Sequence, residues 1–416
     1  MKRVLTAAAL VAAMACSRQE VAEKKDAAAE SAKAAVEKVQ DAFDASTPTG
    51  TGPTPEEIER ERRSQEWRKL QSFRAAQARQ AAAQPPAASG PALTFVNDPK
   101  FGEKLSGADA STFETLPIRV PIKGDVNGAS VLRAQILLDR ANYSVGPIDG
   151  HWGKNSEIAV YWFQQQNGIE PTGDVDEATY RTLVRAAGGA TALVQHQLTA
   201  EDVQGPFVRI PEDVYEQAKL DCLCYESVAE KLAERFHTTV ETLELLNPQV
   251  RLTELQAGQA ILAPNVRAGA PENAPKNIAR IAISIKGNYF HGHDANDNIV
   301  FHAPTTLGSK YDPSPTETLK LVKTAFDPHF KYQPKLFAEV PDDEPEADLQ
   351  PGPNSPVGVV WMALSKPHYG IHGTSTPDTI GYASSHGCVR LTNWDALDVA
   401  RRTPEGTRVD FVDTRH

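Results

Sequence analysis

Apolar side chains that alternate with polar or small ones limit this chain's fold more than any other feature, and they gather in its last third. Ile281, Ile283 and Ile285 alternate. Ile299-Val300-Phe301, Leu319 to Ala325, Val357 to Leu364 and Val409 to Val412 read as further strands, separated by Gly, Pro and Asp. A helix is expected over Trp394 to Arg401, after a cap at Asn393. Residues 277–413 therefore predict a compact β-rich domain with one or two helices. Its acidic, proline-rich loop at 339–356 is expected to cover a cleft.

Upstream the spacing becomes helical. Val131, Gln135 and Leu138 share a helix face, Gly146-Pro147-Ile148-Asp149-Gly150 makes a turn, and Ile158, Trp162 and Phe163 begin a second apolar face. Residues 126–186 thus predict a small helical bundle. The stretch LRAQILLDRANYSVGPIDGHWGKNSEIAVYWFQQQNGIEPTG resembles the peptidoglycan-binding domain type 1. On that resemblance His151 and Trp152 either line a carbohydrate groove or pack around the turn.

Between these regions, residues 205–266 carry helical spacing at Val228, Leu232 and Phe236, a second helix from Val240 to Leu246, and an apolar strand Ala260-Ile261-Leu262-Ala263. SVAEKLAERFHTTVETLELLNPQ followed by LQAGQAILAPN resembles a LysM module. The opening strand of that βααβ pattern is expected around Cys222 and Cys224. The resemblance implies either binding to N-acetylglucosamine chains or a spacer.

The amino-terminal part predicts export and a tether. MKRVLTAAALVAAMAC has a basic start at Lys2 and Arg3 and an apolar run too short to span a bilayer, as in a secretory signal at 1–16. Ala13-Met14-Ala15-Cys16 resembles the bacterial lipobox. It implies lipidation of Cys16 and, with Ser17 following, a periplasmic protein anchored to the outer membrane; cleavage after Ala15 into a soluble product is the alternative. Residues 17–92 offer too few large apolar side chains for a core and read as a helical or disordered tether, followed by a linker at 93–125. A helix is expected from Thr54-Pro55-Glu56-Glu57 to just before Pro85-Pro86.

A net charge of −11 with no Lys/Arg stretch gives no reason to expect nucleic acid as a partner. The chain has four cysteines. Cys222 and Cys224 lie two apart, where a direct disulfide is expected to be strained, and too few ligands stand nearby for zinc. They read as core positions or a redox-sensitive pair. Cys388 then remains as an unpaired thiol in an oxidising compartment, which calls for a reason.

Ile371-His372-Gly373-Thr374 precedes Ser385-His386-Gly387-Cys388-Val389-Arg390 by a short interval. An imidazole close to a thiol accepts its proton and lowers its pKa. Gly387 leaves the backbone open beside the thiol, so nearby amides can face a developing oxyanion. Arg390 suits bidentate binding of a carboxylate or a structural salt bridge. His291-Gly292-His293-Asp294 and Asp297 are metal-ligating types, but they lie where two strands need a turn, and no metal is expected. His302, His329 and His368 read as structural or exposed.

These residues match the signature of the L,D-transpeptidase (YkuD-type) catalytic domain: a histidine, then S/T-H-G-C and an Arg or Asn. The resemblance runs from about residue 277 to 412, with Gly308, Pro315-Thr316, Asn354-Ser355-Pro356-Val357-Gly358 and Gly406-Thr407 at family landmarks. It implies a multidomain α+β protein in which Cys388 is the nucleophile and His372 the general acid/base, with His386 as the alternative base. Ser385, His386 and Gly387 shape the turn and oxyanion site, and Arg390 and Gly373 contact substrate. The implied partners are peptidoglycan stem peptides and glycan, an envelope lipoprotein as a second type of acceptor, and the membrane through the lipid. No cofactor is implied. Rival readings are a non-catalytic wall-binding lipoprotein, an L,D-carboxypeptidase, and a cysteine peptidase or amidase.

Overall fold

The computed structural model describes residues 93–98, 110–336, 340–341 and 343–414. The signal, Cys16 and the tether lie outside the described residues. No helix among the described residues is long and apolar enough to cross a membrane.

The first unit packs helices α1 (Ala129–Arg140), α2 (Lys154–Gln166) and α3 (Glu177–Ala186). Two glutamines staple its loops. Gln135 Nε2 donates to Asp149 Oδ1 and to the His151 carbonyl, both at 2.9 Å, while its Oε1 accepts from Gly150 N at 2.8 Å. Gln164 does the same for the next loop, accepting from Thr172 N and Gly173 N and donating to the Asp174 carbonyl. Both amides meet backbone groups that a turn leaves without partners, so a buried polar side chain is satisfied rather than costly. α1 is buried along almost its whole length, Ser130, Arg133 and Asp139 included, because other parts of the chain pack on every side of it. Trp152 is only 5% exposed and belongs to this core, which excludes it from an open groove; His151 is exposed.

Next come β1 (Leu193–Gln197), α4 (Val228–Arg235), α5 (Val240–Leu246) and β2 (Ala260–Pro264). β1 pairs antiparallel with β2, and Leu232, Leu243, Ile261 and Ala263 form the core beneath. The opening strand therefore lies well before the cysteines, contrary to the expectation from sequence. Cys222 and Cys224 instead form a disulfide in an excursion between β1 and α4. That excursion docks on the loop ahead of the catalytic motif: Leu223 N donates to the Pro351 carbonyl and Asn354 N to the Leu223 carbonyl. Leu223, between the two cysteines, is buried against that loop.

Eight further strands form one sheet: β3 (Arg280–Ser284), β4 (Tyr289–His293), β5 (Ile299–Pro304), β6 (Leu319–Phe326), β7 (Val360–Leu364), β8 (Gly370–His372), β9 (Val389–Arg390) and β10 (Arg408–Val412). Their spatial order is β9-β8-β7-β6-β10-β3-β4-β5. Helix α6 (Asn393–Arg402) covers one face, setting Ala396 and Val399 against Ile371 and Val389. His291 and His293 lie inside β4 rather than in a turn, which falls at Asp294–Asn298, and His291 Nε2 meets His302 Nδ1 at 3.0 Å in the interior. The cap of α6 is Thr392, whose hydroxyl accepts from Asp395 N; Asn393 is the first helical residue, so its amide is free for another task.

A buried ionic hub ties the three units together. Arg267, just after β2, pairs with Asp139 of α1 and Asp395 of α6. His237 Nδ1 reaches Asp139 at 2.9 Å, Ser144 Oγ donates to Asp395 at 2.8 Å, and the His237 ring stacks on Trp394 with centroids 5.2 Å apart. Burial works against Asp139, yet Arg267 and His237 outweigh it and hold the carboxyl below its usual range.

Candidate active site

β8 and β9 run parallel, with Ile371 opposite Val389 and His372 opposite Arg390. Strand alternation sends Ile371 and Val389 into the core beneath α6, and His372, Arg390 and Cys388 to the other face. Antiparallel pairing of β7 sets Trp361 beside His372, and the two rings stack with centroids 5.3 Å apart at 23°. Trp361, His372 and Arg390 therefore form a row across one face of the sheet, with Cys388 at its edge.

The turn before Cys388 is held by hydroxyls. Ser385 Oγ donates to the Cys388 carbonyl at 2.6 Å, Ser385 N donates to the Leu307 carbonyl, and Ser314 Oγ donates to the Gly387 carbonyl at 2.9 Å. Ser385 is buried and braces the turn. Gly387 has φ of 98°, and a Cβ there would sit 2.8 Å from Tyr369, so both backbone and space demand glycine. His386 is exposed at the surface of the turn. From the first unit, Asn155 Nδ2 donates to the Ile380 carbonyl, tying that unit to the segment that leads into the motif.

His372 is buried, and its Nδ1 lies 2.7 Å from the Gly373 carbonyl. A carbonyl only accepts, so this bond puts the proton on Nδ1 and leaves Nε2 as the basic nitrogen. Burial first, and the Arg390 charge second, pull the imidazole down to about 3. Gly373 is buried too. A Cβ on it would fall 2.1 Å from Asn393 Oδ1. The Gly373 carbonyl orients His372.

Cys388 is partly exposed, and its Sγ contacts the His368 carbonyl at 3.5 Å. Burial pushes the thiol up, against the opposing effects of Gly370 and Arg390. In the resting chain a neutral thiol thus stands on the same face as a neutral imidazole, in place of the lowered thiol pKa expected from sequence, because desolvation disfavours the thiolate. Among the described residues no carboxylate pairs with Arg390, and its Nε is buried without a partner. Its main chain is fixed by Thr305 and Thr306. A cleft of about 730 Å³ opens elsewhere, beside Tyr225, Glu234, Phe326, Asn393 and Trp394. Two contributors were missed from sequence: Asn393, read as a cap, and Glu234, one more glutamate on a helix.

Residues 279–411 match the family model of the L,D-transpeptidase catalytic domain, and residues 127–183 that of a peptidoglycan binding domain. A Bacillus licheniformis protein named L,D-transpeptidase YkuD is 33% identical over 183 residues, covering 44% of this chain and 92% of that protein. Its Bacillus subtilis namesake is 38% identical over 112 residues, covering 27% of this chain and 65% of that protein. A crystal structure of L,D-transpeptidase 3 from Mycobacterium tuberculosis aligns with 38% of this chain and 77% of its own at 14% identity and a TM-score of 0.26, a likeness too slight to bear on the assignment. The family match and the near-complete coverage of the Bacillus licheniformis protein establish that the chain belongs to the L,D-transpeptidase family.

Proposed function

We propose that the protein cross-links peptidoglycan through a thioester on Cys388. The observation that carries this reading is the shared face of β8 and β9, where Cys388, His372 and an Arg390 lacking any carboxylate partner among the described residues stand together. Cys388 Sγ attacks the carbonyl that joins the third stem residue to the terminal D-alanine, and its proton passes to His372 Nε2. The C–N bond breaks, and D-alanine leaves as an amine carrying that proton. An amine from a second stem peptide, or from the lysine of an envelope lipoprotein, then attacks the thioester. It gives up a proton through His372, forms a new amide and restores the thiol; water in its place makes the reaction a carboxypeptidase.

The low pKa of His372 keeps the ring neutral across the physiological range, with Nε2 unprotonated. The Gly387 carbonyl is turned toward Ser314, so the planar trans peptide aims the Cys388 N–H the opposite way, where it can meet an oxyanion. Arg390 supplies a fork for the stem peptide's free carboxylate. Export, lipidation at Cys16 and a periplasmic location belong to the same reading, as does glycan binding by the β1–β2 unit.

The test is purified protein with a disaccharide tetrapeptide, with and without an amine acceptor, against Cys388→Ala. Wild type releases D-alanine and yields a cross-linked product; equal products from both proteins would end the proposal. Arg390→Ala is expected to raise KM for the free-acid substrate about 10–100-fold, the worth of a charged hydrogen bond. A substrate with an amidated terminal carboxyl should show little difference between wild type and variant; an equal loss on both substrates would refute carboxylate binding by Arg390.

A further inference from the structure

Support for the catalytic histidine extends into the β1–β2 unit. Gly373, which orients His372, is backed by the Asn393 amide. Asn393 Oδ1 accepts from Thr374 N at 3.1 Å and from Val359 N at 3.3 Å, and it fills the space where a Cβ on Gly358 or Gly373 would fall. Its Nδ2 donates to the Pro353 carbonyl at 3.0 Å and to Glu234 Oε2 at 2.9 Å. Glu234 lies on α4, and its other oxygen accepts from the Tyr225 hydroxyl at 2.9 Å.

We propose that Glu234 is a positioning residue that acts on His372 through the Asn393 amide, an inference that rests on the transpeptidase reading of Cys388 and His372. An amide side chain can turn over, exchanging its oxygen for its NH2 group. With Glu234 and the Pro353 carbonyl as two acceptors on one side, the NH2 must face them, which leaves the oxygen to hold the amides of Thr374, after His372, and Val359. Removing Glu234 takes away one of those two acceptors. The Gly373 peptide then loses its fixed backing, and the His372 ring loses its aim. A carboxylate at this interface is costly: burial pushes Glu234 up to about 7 against the bonds from Asn393 and Tyr225. A docking contact alone could be made by an apolar side chain without that cost.

The experiment uses the full chain with Glu234→Ala, Glu234→Gln and Glu230→Ala. Glu230 Oε1 accepts from Asn354 Nδ2 across the same interface but does not touch Asn393, so its loss weakens docking and leaves the Asn393–Glu234 bond in place. D-Alanine release gives kcat and KM, and the 15N shifts of the His372 ring report its tautomer, set by the bond to the Gly373 carbonyl, without any substrate. Glu234→Ala should lower kcat about tenfold with KM within about twofold, as expected for a misplaced catalytic group, and turn the single Nδ1–H tautomer of His372 into a mixture. Glu234→Gln keeps an oxygen for Asn393 and should restore both to near wild type. Glu230→Ala should leave both unchanged. If Glu234→Ala does not melt cooperatively, Glu234→Asp, which withdraws the acceptor by one methylene, takes its place with a smaller loss expected. Wild-type kcat and a single Nδ1–H tautomer in Glu234→Ala, or an equal loss in Glu230→Ala, overturns the inference. Were wild type itself unable to release D-alanine, the transpeptidase reading would fall, and the His372 tautomer would still decide the link from Glu234 to His372.

Discussion

Replacing His372 by glutamine is expected to slow acylation of Cys388 by about 10²–10⁴-fold, the range for a lost general base, while KM changes little. Glutamine fills much of the same space against Trp361 and can still donate to the Gly373 carbonyl, so the fold should survive. What disappears is the basic Nε2. The resting thiol is held in its neutral form by burial, so without that nitrogen nothing on this face takes up its proton as it attacks. The same electrostatics fix the pH dependence. Because His372 sits at about 3, the fall in activity caused by its protonation should lie far below 6.5, not near it. Initial rates of D-alanine release from pH 4 to 10 check this; a histidine-controlled inflection near 6.5 would contradict the burial-driven account.

The second large effect is structural. Arg267→Ala leaves Asp139 and Asp395 facing each other in the interior without the guanidinium that joins them. Loss of one partner from a buried ion cluster costs about 3–5 kcal/mol. For a body of this size that corresponds to a drop in Tm on the order of 10 °C. In the intact protein Asp139 has a depressed pKa, so its contribution is present above the ordinary carboxylate range and fades as pH falls. In the variant the unpaired acids shift upward and take up protons more readily when folded. Both changes narrow the gap between the two proteins on acidification, so melting curves at pH 7 and pH 4 should show a smaller difference at the lower pH. A Tm unchanged at pH 7 would mean that the hub is not what joins the three units.

The β-rich carboxyl-terminal domain and the helical unit before it were legible because their patterns are local. Ile281, Ile283 and Ile285 alternate over a single strand, and the two glutamines of the first unit stand at fixed offsets from the turns they hold. The site was legible in part for the same reason: His372 and Cys388 lie close in sequence on neighbouring strands. What stayed hidden depends on distant partners. Asn393 reads as a helix cap, and only the packing of Gly358 and Gly373 against it shows its other use. Glu234 looks like any glutamate on an amphipathic helix. Arg267 sits in a connecting segment, and its two acids come from positions far away in the chain. Cys222 and Cys224 were judged on their spacing alone, whereas Leu223 between them is buried against the loop at Pro351 and Asn354. The first strand of the β1–β2 unit, LVQHQ, alternates too weakly to stand out beside the longer runs downstream.

Intact-protein mass spectrometry of a rapidly quenched reaction with tetrapeptide substrate tests the central claim most directly. The account predicts an adduct equal in mass to the acyl group left after loss of D-alanine. The adduct should map to the peptide containing Cys388, be released by hydroxylamine, and be absent from Cys388→Ala. No adduct during active turnover, or an adduct that persists in Cys388→Ala, would contradict it.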